Sequence, residues 1–279
     1  MLVDKPAGPT SHDVVQRVRR ALGTRAVGHT GTLDPFATGL LVVLVGRATR
    51  LARFVEAQPK TYLATARLGV ATDTDDRTGT PLGPPVDVGG IAEDRVVAAL
   101  AALQGEQQQR PPSYSARHVD GERSYRLARK GITAELPETP VTVHRIELVS
   151  YAPPELAFRV TVSAGTYVRA LARDLGARLG AGAHLTALRR EAVGALRIED
   201  AVPLERVDAS ALRPPGAALG HLPTRELDEP GRLAVSHGRA LPVEPGASGD
   251  VALLHAGRLV AVARADDGWL RPSVVLGTP

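Results

Sequence analysis

Gly28-His29-Thr30-Gly31-Thr32-Leu33-Asp34-Pro35-Phe36-Ala37-Thr38-Gly39 runs directly into Leu40-Leu41-Val42-Val43-Leu44-Val45. The first part is rich in turn formers and holds one acid, Asp34, immediately before a proline. The apolar run reads as a buried strand. Proline drives the residue before it into extended backbone, so Asp34 is presented on a loop and not hidden in a helix turn. Gly28, Gly31 and Gly39 admit backbone angles that other residues resist. A carboxylate on a shaped loop beside a buried strand is a common placement for a catalytic group. The same residues equally suit an aspartate that only turns or caps a loop. The segment alone does not choose between the two.

Working outward, residues 12–22 have helical spacing, with Val14, Val15, Val18 and Leu22 on one face, Thr10 or Ser11 to cap the start and Gly23 at the end. Residues 47–57 suit a second helix with Leu51, Phe54 and Val55 inward. From Thr61 to Leu68 the pattern alternates and places Tyr62, Ala64, Ala66 and Leu68 on one face of a strand. An acidic, Gly/Pro-rich loop over 73–85 and an amphipathic helix over 91–103 follow. Residues 110–140 are polar and Arg-rich, and are expected to project from the body. Strands over 141–149 and 156–163 pair around Pro153-Pro154, a helix spans 167–179, and short strands cover 185–188 and 196–198. The Pro/Gly/Ala-rich stretch 212–220 reads as a linker. Beyond it, short strands over 252–254, 259–263 and 269–275 indicate a small β-rich domain from residue 221 to 279.

The 279 residues exceed one average domain, and a 43% hydrophobic content suffices for a core. The absence of cysteine excludes disulfides and cysteine-ligated metal. No apolar stretch is long enough to span a membrane and no secretory signal precedes Leu2, so a cytoplasmic protein is expected. The net charge of +4 is uneven: residues 1–220 hold 28 basic and 23 acidic side chains, and residues 221–279 hold 6 and 7. Lysine occurs only at Lys5, Lys60 and Lys130, so the positive charge is nearly all guanidinium. Arginine's planar fork suits phosphate and stacks on bases, which points mildly to a nucleic acid partner. A general bias toward arginine would leave the same count.

Four segments place polar groups where apolar ones are expected. They are the Asp34 loop with His29, Lys60-Thr61-Tyr62 opening a strand, residues 164–176 with Tyr167 and Arg169 in a helix's first turn, and Gly182-Ala183-His184-Leu185 running on to Leu188. Each has an ordinary reading: half-buried tyrosines, a surface arginine, a structural histidine. Asp73, Asp75 and Asp76 could ligate a hard cation or simply form a solvated turn.

Taken together, these segments resemble the bacterial TruB-type tRNA pseudouridine synthases. The ordered set is Asp4-Lys5-Pro6, Gly28 to Pro35, Lys60-Thr61-Tyr62, Thr72-Asp73-Thr74-Asp75, Pro111 to Ala116, Gly165 to Arg169, and Gly182 to Leu185. The resemblance covers residues 2 to about 195, and the tail resembles the family's small PUA-like RNA-binding domain. It implies an α/β (α+β) fold: a mixed, mostly antiparallel central sheet flanked by helices over 1–211, then the β-rich domain. It further implies conversion of uridine 55 in the T-arm loop of tRNA to pseudouridine, without cofactor or metal.

By the same resemblance Asp34 is the nucleophile, Arg169 its salt-bridge partner, and Tyr62 stacks on the base and takes the C5 proton. Tyr167 flanks the pocket, Leu188 supplies an apolar wall, and His29 fills the space the flipped base leaves. The segment from Arg110 to Leu136 resembles the family's RNA-clamping thumb loop, with Arg117 and Arg126 among its phosphate contacts, and Lys5 also belongs to the substrate-binding set. The family commonly carries lysine where this chain has His118, after an apolar residue where it has Arg117. The implied partner is tRNA, with no membrane and no obligate protein partner, and a monomer is expected. Two rivals remain at this point: a non-catalytic RNA-binding or tRNA-folding protein, and a metal-dependent hydrolase using His29, Asp34 and the 73–76 acids.

Overall fold

A computed structural model describes residues 1–114, 118–119, 122–123, 136–244 and 246–277. Arg117 and Arg126 lie outside the described residues. In chain order the first elements are β1 (Leu2–Lys5), α1 (Ser11–Leu22), β2 (Val27–His29), β3 (Thr38–Val45), α2 (Ala52–Glu56) and β4 (Lys60–Leu68). Then come α3 (Glu93–Ala101), β5 (Gly105–Gln109), β6 (His118–Val119), β7 (Glu122–Arg123), β8 (Thr139–Ala152) and β9 (Glu155–Val162). They are followed by α4 (Val168–Leu179), β10 (Ala183–Val193), β11 (Leu196–Arg197), β12 (Val202–Pro203), β13 (Thr224–Glu226) and α5 (Glu229–Ser236). The chain ends with β14 (Leu241–Pro242), β15 (Gly249–His255), β16 (Arg258–Asp266) and β17 (Trp269–Val275). The chain forms two compact units. One holds Met1–Leu33, Leu40–Ala57 and Val193–Pro279; the other holds Asp34–Gly39 and Gln58–Ala192.

In the first unit α1 starts as expected. Thr10 caps it in a capping box with Asp13, and Gly23 ends it in the left-handed conformation. β3 explains its own composition. Leu41 and Val43 face a cluster with Val3, Val14, Val15, Val18 and Val27. Leu40, Val42 and Leu44 face another with Leu51, Phe54, Val55, Leu219, Val262 and Val274. A strand covered on both faces has no need of polar alternation. β3 is flanked by β1, which pairs in parallel with β12, and by antiparallel β2. The C-terminal strands form a five-stranded sheet in the order β13-β15-β16-β17-β14. The 212–220 stretch contains a 3-10 turn, Pro215–Leu219, whose Leu219 is buried. Residues 46–51 form a 3-10 turn ahead of the short α2, where one continuous helix was expected. Helix α5 was not anticipated from the sequence, although Asp228 caps it and Pro230 sits in its first turn.

In the second unit the strand order is β10-β4-β9-β8-β5, with antiparallel β4–β9, β9–β8 and β8–β5 pairs. Tyr62 pairs with Val160, Ala64 with Phe158 and Ala66 with Leu156, so the buried face of β4 continues into β9. Helix α4 lies against β4 and buries Ala170, Leu171, Ala172 and Leu175. β10 adds a parallel pairing of Arg189 with Thr38 and Arg190 with Gly39. Gly39 has φ 101°, and a Cβ there would stand 2.3 Å from the Arg190 carbonyl oxygen. No side chain fits that approach. The Asp34–Gly39 loop is therefore tied at its far end to β10. The expected mixed, mostly antiparallel sheet with flanking helices and a β-rich C-terminal part is the observed architecture.

Candidate active site

Asp34 leaves Leu33, whose backbone is fixed in both directions by the Ser11 hydroxyl. That hydroxyl accepts the Leu33 N–H at 2.8 Å and donates to the Leu33 carbonyl at 3.2 Å. Past Asp34 the chain turns, and the Ala37 N–H donates to the Asp34 carbonyl at 3.1 Å. The loop thus has a defined path before any side chain of Asp34 is considered.

Arg169 sits in the first turn of α4 with a side chain only 5% exposed, whereas the Asp34 side chain is 33% exposed. Its Nε lies 2.9 Å from Asp34 Oδ2, and its Nη2 donates to Oδ1 at 3.2 Å. This two-point pairing fixes the plane of the carboxylate. The other guanidinium hydrogens are also engaged. Nη2 donates to the Tyr114 carbonyl at 3.0 Å, and Nη1 donates to the Thr74 carbonyl at 2.9 Å and lies 3.6 Å from Asp76 Oδ2. A buried guanidinium needs partners for its donors, and here they are oxygens of Asp34, Thr74 and Tyr114, with the Asp76 carboxylate at ion-pair distance. Arg169 holds Asp34 from below and leaves the carboxylate reachable from solvent.

The 72–80 loop holds itself together around Asp76. Asp76 Oδ1 accepts from Thr74 Oγ1, the Thr78 N–H and Thr78 Oγ1, at 2.9, 2.8 and 2.6 Å. Thr72 Oγ1 donates to the Asp76 carbonyl at 2.8 Å. Asp73 Oδ1 accepts the Thr80 N–H, and Asp75 Oδ2 pairs with Arg173 Nη1 at 3.1 Å. The three acids thus serve three different partners. Among the described residues, no group of three or more histidine and acid side chains is arranged to hold a metal ion.

Burial pushes the Asp75 carboxyl up to about 6, outweighing the pull of Arg173 and Arg169 in the other direction. The folded chain therefore holds a proton here that an unfolded chain releases near pH 4. The contribution of Asp75 favours folding below pH about 4 and is withdrawn as the pH rises through about 6. Asp75→Asn is expected to flatten the decline in stability over that window, by at most about 3 kcal/mol. Urea unfolding of both proteins at several pH values checks this. An unchanged difference from pH 4 to 7 contradicts it.

The structure brings together Asp34 and Arg169, and places other expected residues on the elements around them. Tyr62 is buried on the inner face of β4. Tyr167 is the half-buried N-cap of α4, two residues before Arg169. Leu188 is buried in β10, adjacent to the Arg189 that pairs with Thr38. His29 and Lys5 belong to the first unit: His29 ends β2 opposite Val43, and the buried Lys5 donates from Nζ to the Pro6 carbonyl at 2.8 Å. The sequence reading missed Asp76 as a neighbour of Arg169, Ser11 as the anchor of Leu33, and the backbone carbonyls of Thr74 and Tyr114. Carbonyl acceptors leave no trace in side-chain identity. Asp76 was visible only as one acid of a run.

The TruB family pseudouridylate synthase N-terminal domain matches residues 19–168, and the tRNA pseudouridylate synthase B C-terminal domain matches residues 169–215. Among curated relatives, tRNA pseudouridine synthase B of Thermobifida fusca is 47% identical, over 99% of this chain and 97% of its own. The protein of the same name from Arthrobacter sp. is 44% identical, over 99% of this chain and 95% of its own. Among solved structures, a chain of a Cbf5-Nop10-Gar1 complex aligns with a TM-score of 0.76 at 27% identity. That alignment covers 98% of this chain and 83% of the other.

Proposed function

Because the chain belongs to the TruB family of pseudouridylate synthases, we propose that it acts on uridine 55 in the T-arm loop of tRNA with Asp34 as nucleophile. The chain is an isomerase that converts uridine to pseudouridine in tRNA. In that reaction the C1′–N1 bond breaks and a C1′–C5 bond forms. C5 gives up one proton and N1 gains one, so the atoms balance without a redox partner. A nucleophile that holds one fragment covalently while the base turns makes this possible.

The observation that carries the role of Asp34 is its carboxylate, pinned through both oxygens by a buried arginine yet a third exposed. Arg169 orients the attacking oxygen and stays in place through its bonds to Thr74 and Tyr114. The uridine leaves its stack to reach Asp34, at a cost of roughly a few kcal/mol that stacking and hydrogen bonding in the pocket offset. Tyr62 stacks on the turned base and takes the C5 proton, Tyr167 flanks it and Leu188 walls it. His29 fills the gap left in the RNA loop. Arg117 and Arg126 bind the RNA, and residues 221–279 form an RNA-binding module. Lys5, fully buried with its ammonium on the Pro6 carbonyl, supports the fold and does not meet the substrate, contrary to what the resemblance implied. By the same resemblance the protein works as a monomer in the cytoplasm.

The test is to incubate the protein with a T-arm stem-loop and with total tRNA, then map pseudouridine by position. Product confined to position 55 is expected. Product at other positions, or none with folded protein, overturns the site assignment.

A further inference from the structure

Gln109 is the last residue of β5 and stands immediately before the polar segment that begins at Arg110. β5 alternates, with Glu106 and Gln108 exposed and Gln109 only 1% exposed. A buried carboxamide must satisfy both its donor and its acceptor. Gln109 does so on a single residue 58 positions away. Its Oε1 accepts the Tyr167 N–H at 2.8 Å, and its Nε2 donates to the Tyr167 carbonyl at 3.1 Å. One side chain thereby does for Tyr167 what a neighbouring strand would do.

Tyr167 is where α4 begins. It has extended backbone (φ −100°, ψ 111°) and no capping bond from its own side chain. A helix start without such a cap depends on outside groups to fix its first backbone N–H bonds. Arg169 follows two residues later. The residues that follow Gln109 reach α4 twice more: the Tyr114 carbonyl accepts from Arg169 Nη2 at 3.0 Å, and the Arg110 carbonyl accepts from Arg173 Nη2 at 2.9 Å.

We propose that Gln109 is a positioning residue of the isomerisation: by clamping the Tyr167 backbone it sets where α4 starts, and so where the Arg169 guanidinium meets Asp34. The proposal rests on the function argued above. Gln109 touches neither substrate nor Asp34 and acts through Tyr167. Misplacing a catalytic constellation by about 1 Å costs about 100-fold in rate.

The experiment compares Gln109→Met, Gln109→Glu and Tyr151→Phe in single turnovers on a T-arm stem-loop, with the melting temperature of each. Gln109→Met keeps the volume and loses both bonds. Gln109→Glu keeps the acceptor for the Tyr167 N–H and loses the donor. Tyr151→Phe removes a hydrogen bond elsewhere in the same sheet, from the Tyr151 hydroxyl to the Ile91 carbonyl at 2.8 Å. The Gln109→Met rate at saturating RNA is expected to fall by about 10- to 100-fold, with the stem-loop dissociation constant changed by less than about 3-fold. Gln109→Glu should lie between Gln109→Met and the native chain, and Tyr151→Phe should keep the native rate. A native rate in Gln109→Met, a full rate in Gln109→Glu, or an equal loss in Tyr151→Phe overturns the proposal, since each reduces Gln109 to a contributor to folding. Failure of the native chain to make product overturns the functional reading and this proposal with it. Product from the native chain together with an unaffected Gln109→Met variant overturns this proposal alone.

Discussion

Asp34→Asn is expected to lower pseudouridine formation by at least about 10,000-fold while leaving the protein folded and able to bind a T-arm stem-loop. The substitution keeps shape and one acceptor oxygen, so the Nη2 bond from Arg169 survives. It removes the negative charge and the nucleophilic oxygen pair. The fold has little reason to respond. The side chain is a third exposed, and the loop is held by backbone bonds at Leu33 and Ala37 that the change does not touch. Asp34→Ala should be as inactive. The measurement is product by position after long incubation with excess enzyme, beside a binding isotherm and a melting curve. Turnover by either folded variant removes Asp34 from the mechanism.

Arg169→Lys is the second large expectation, and it separates charge from geometry. An ammonium is a point charge and cannot place parallel donors on both oxygens of Asp34 while also meeting the carbonyls of Thr74 and Tyr114. The rate is expected to fall by about 100-fold or more although the net charge is unchanged. Arg169→Met should go further, because Asp76, with a side chain 6% exposed, would face a buried space without its cation. Removing one member of a buried charge pair commonly costs about 3–5 kcal/mol of stability. Single-turnover rates and urea unfolding read the two effects separately. A Lys variant within about threefold of native would show that charge alone suffices at this position.

The parts of this molecule that were legible in sequence share a physical cause. β4 reads correctly because burial on one face imposes alternation on Lys60, Tyr62, Ala64, Ala66 and Leu68. α1 reads correctly because Thr10 and Gly23 announce its ends. β3 was legible as buried, but not that it separates two apolar clusters, because side-chain identity does not say what covers each face. α5 was missed because Leu233 and Val235 are too few to set up a period among polar neighbours. At the site, the ordered motifs pointed to Asp34 and Arg169, and the resemblance carried most of that weight. The bonds that hold the pair run through the backbone oxygens of Thr74 and Tyr114, and the start of α4 is held by an amide at Gln109 that looks in sequence like any polar strand residue.

The pairing of Gly39 with Arg190 has a consequence in time. Asp34 and Arg169 are 135 positions apart, and the far end of the loop bearing the acid is tied to a strand whose Arg189 and Arg190 are made later still. During synthesis the acid therefore leaves the ribosome long before its arginine exists, and before the strand that locks its loop. Closing so long a chain segment carries a conformational entropy penalty before any of these contacts can compensate. Fragments that stop short of β10 should be chemically inert even where their helices form. Competence is expected to arrive late and all at once, so that a half-finished chain does not attack RNA.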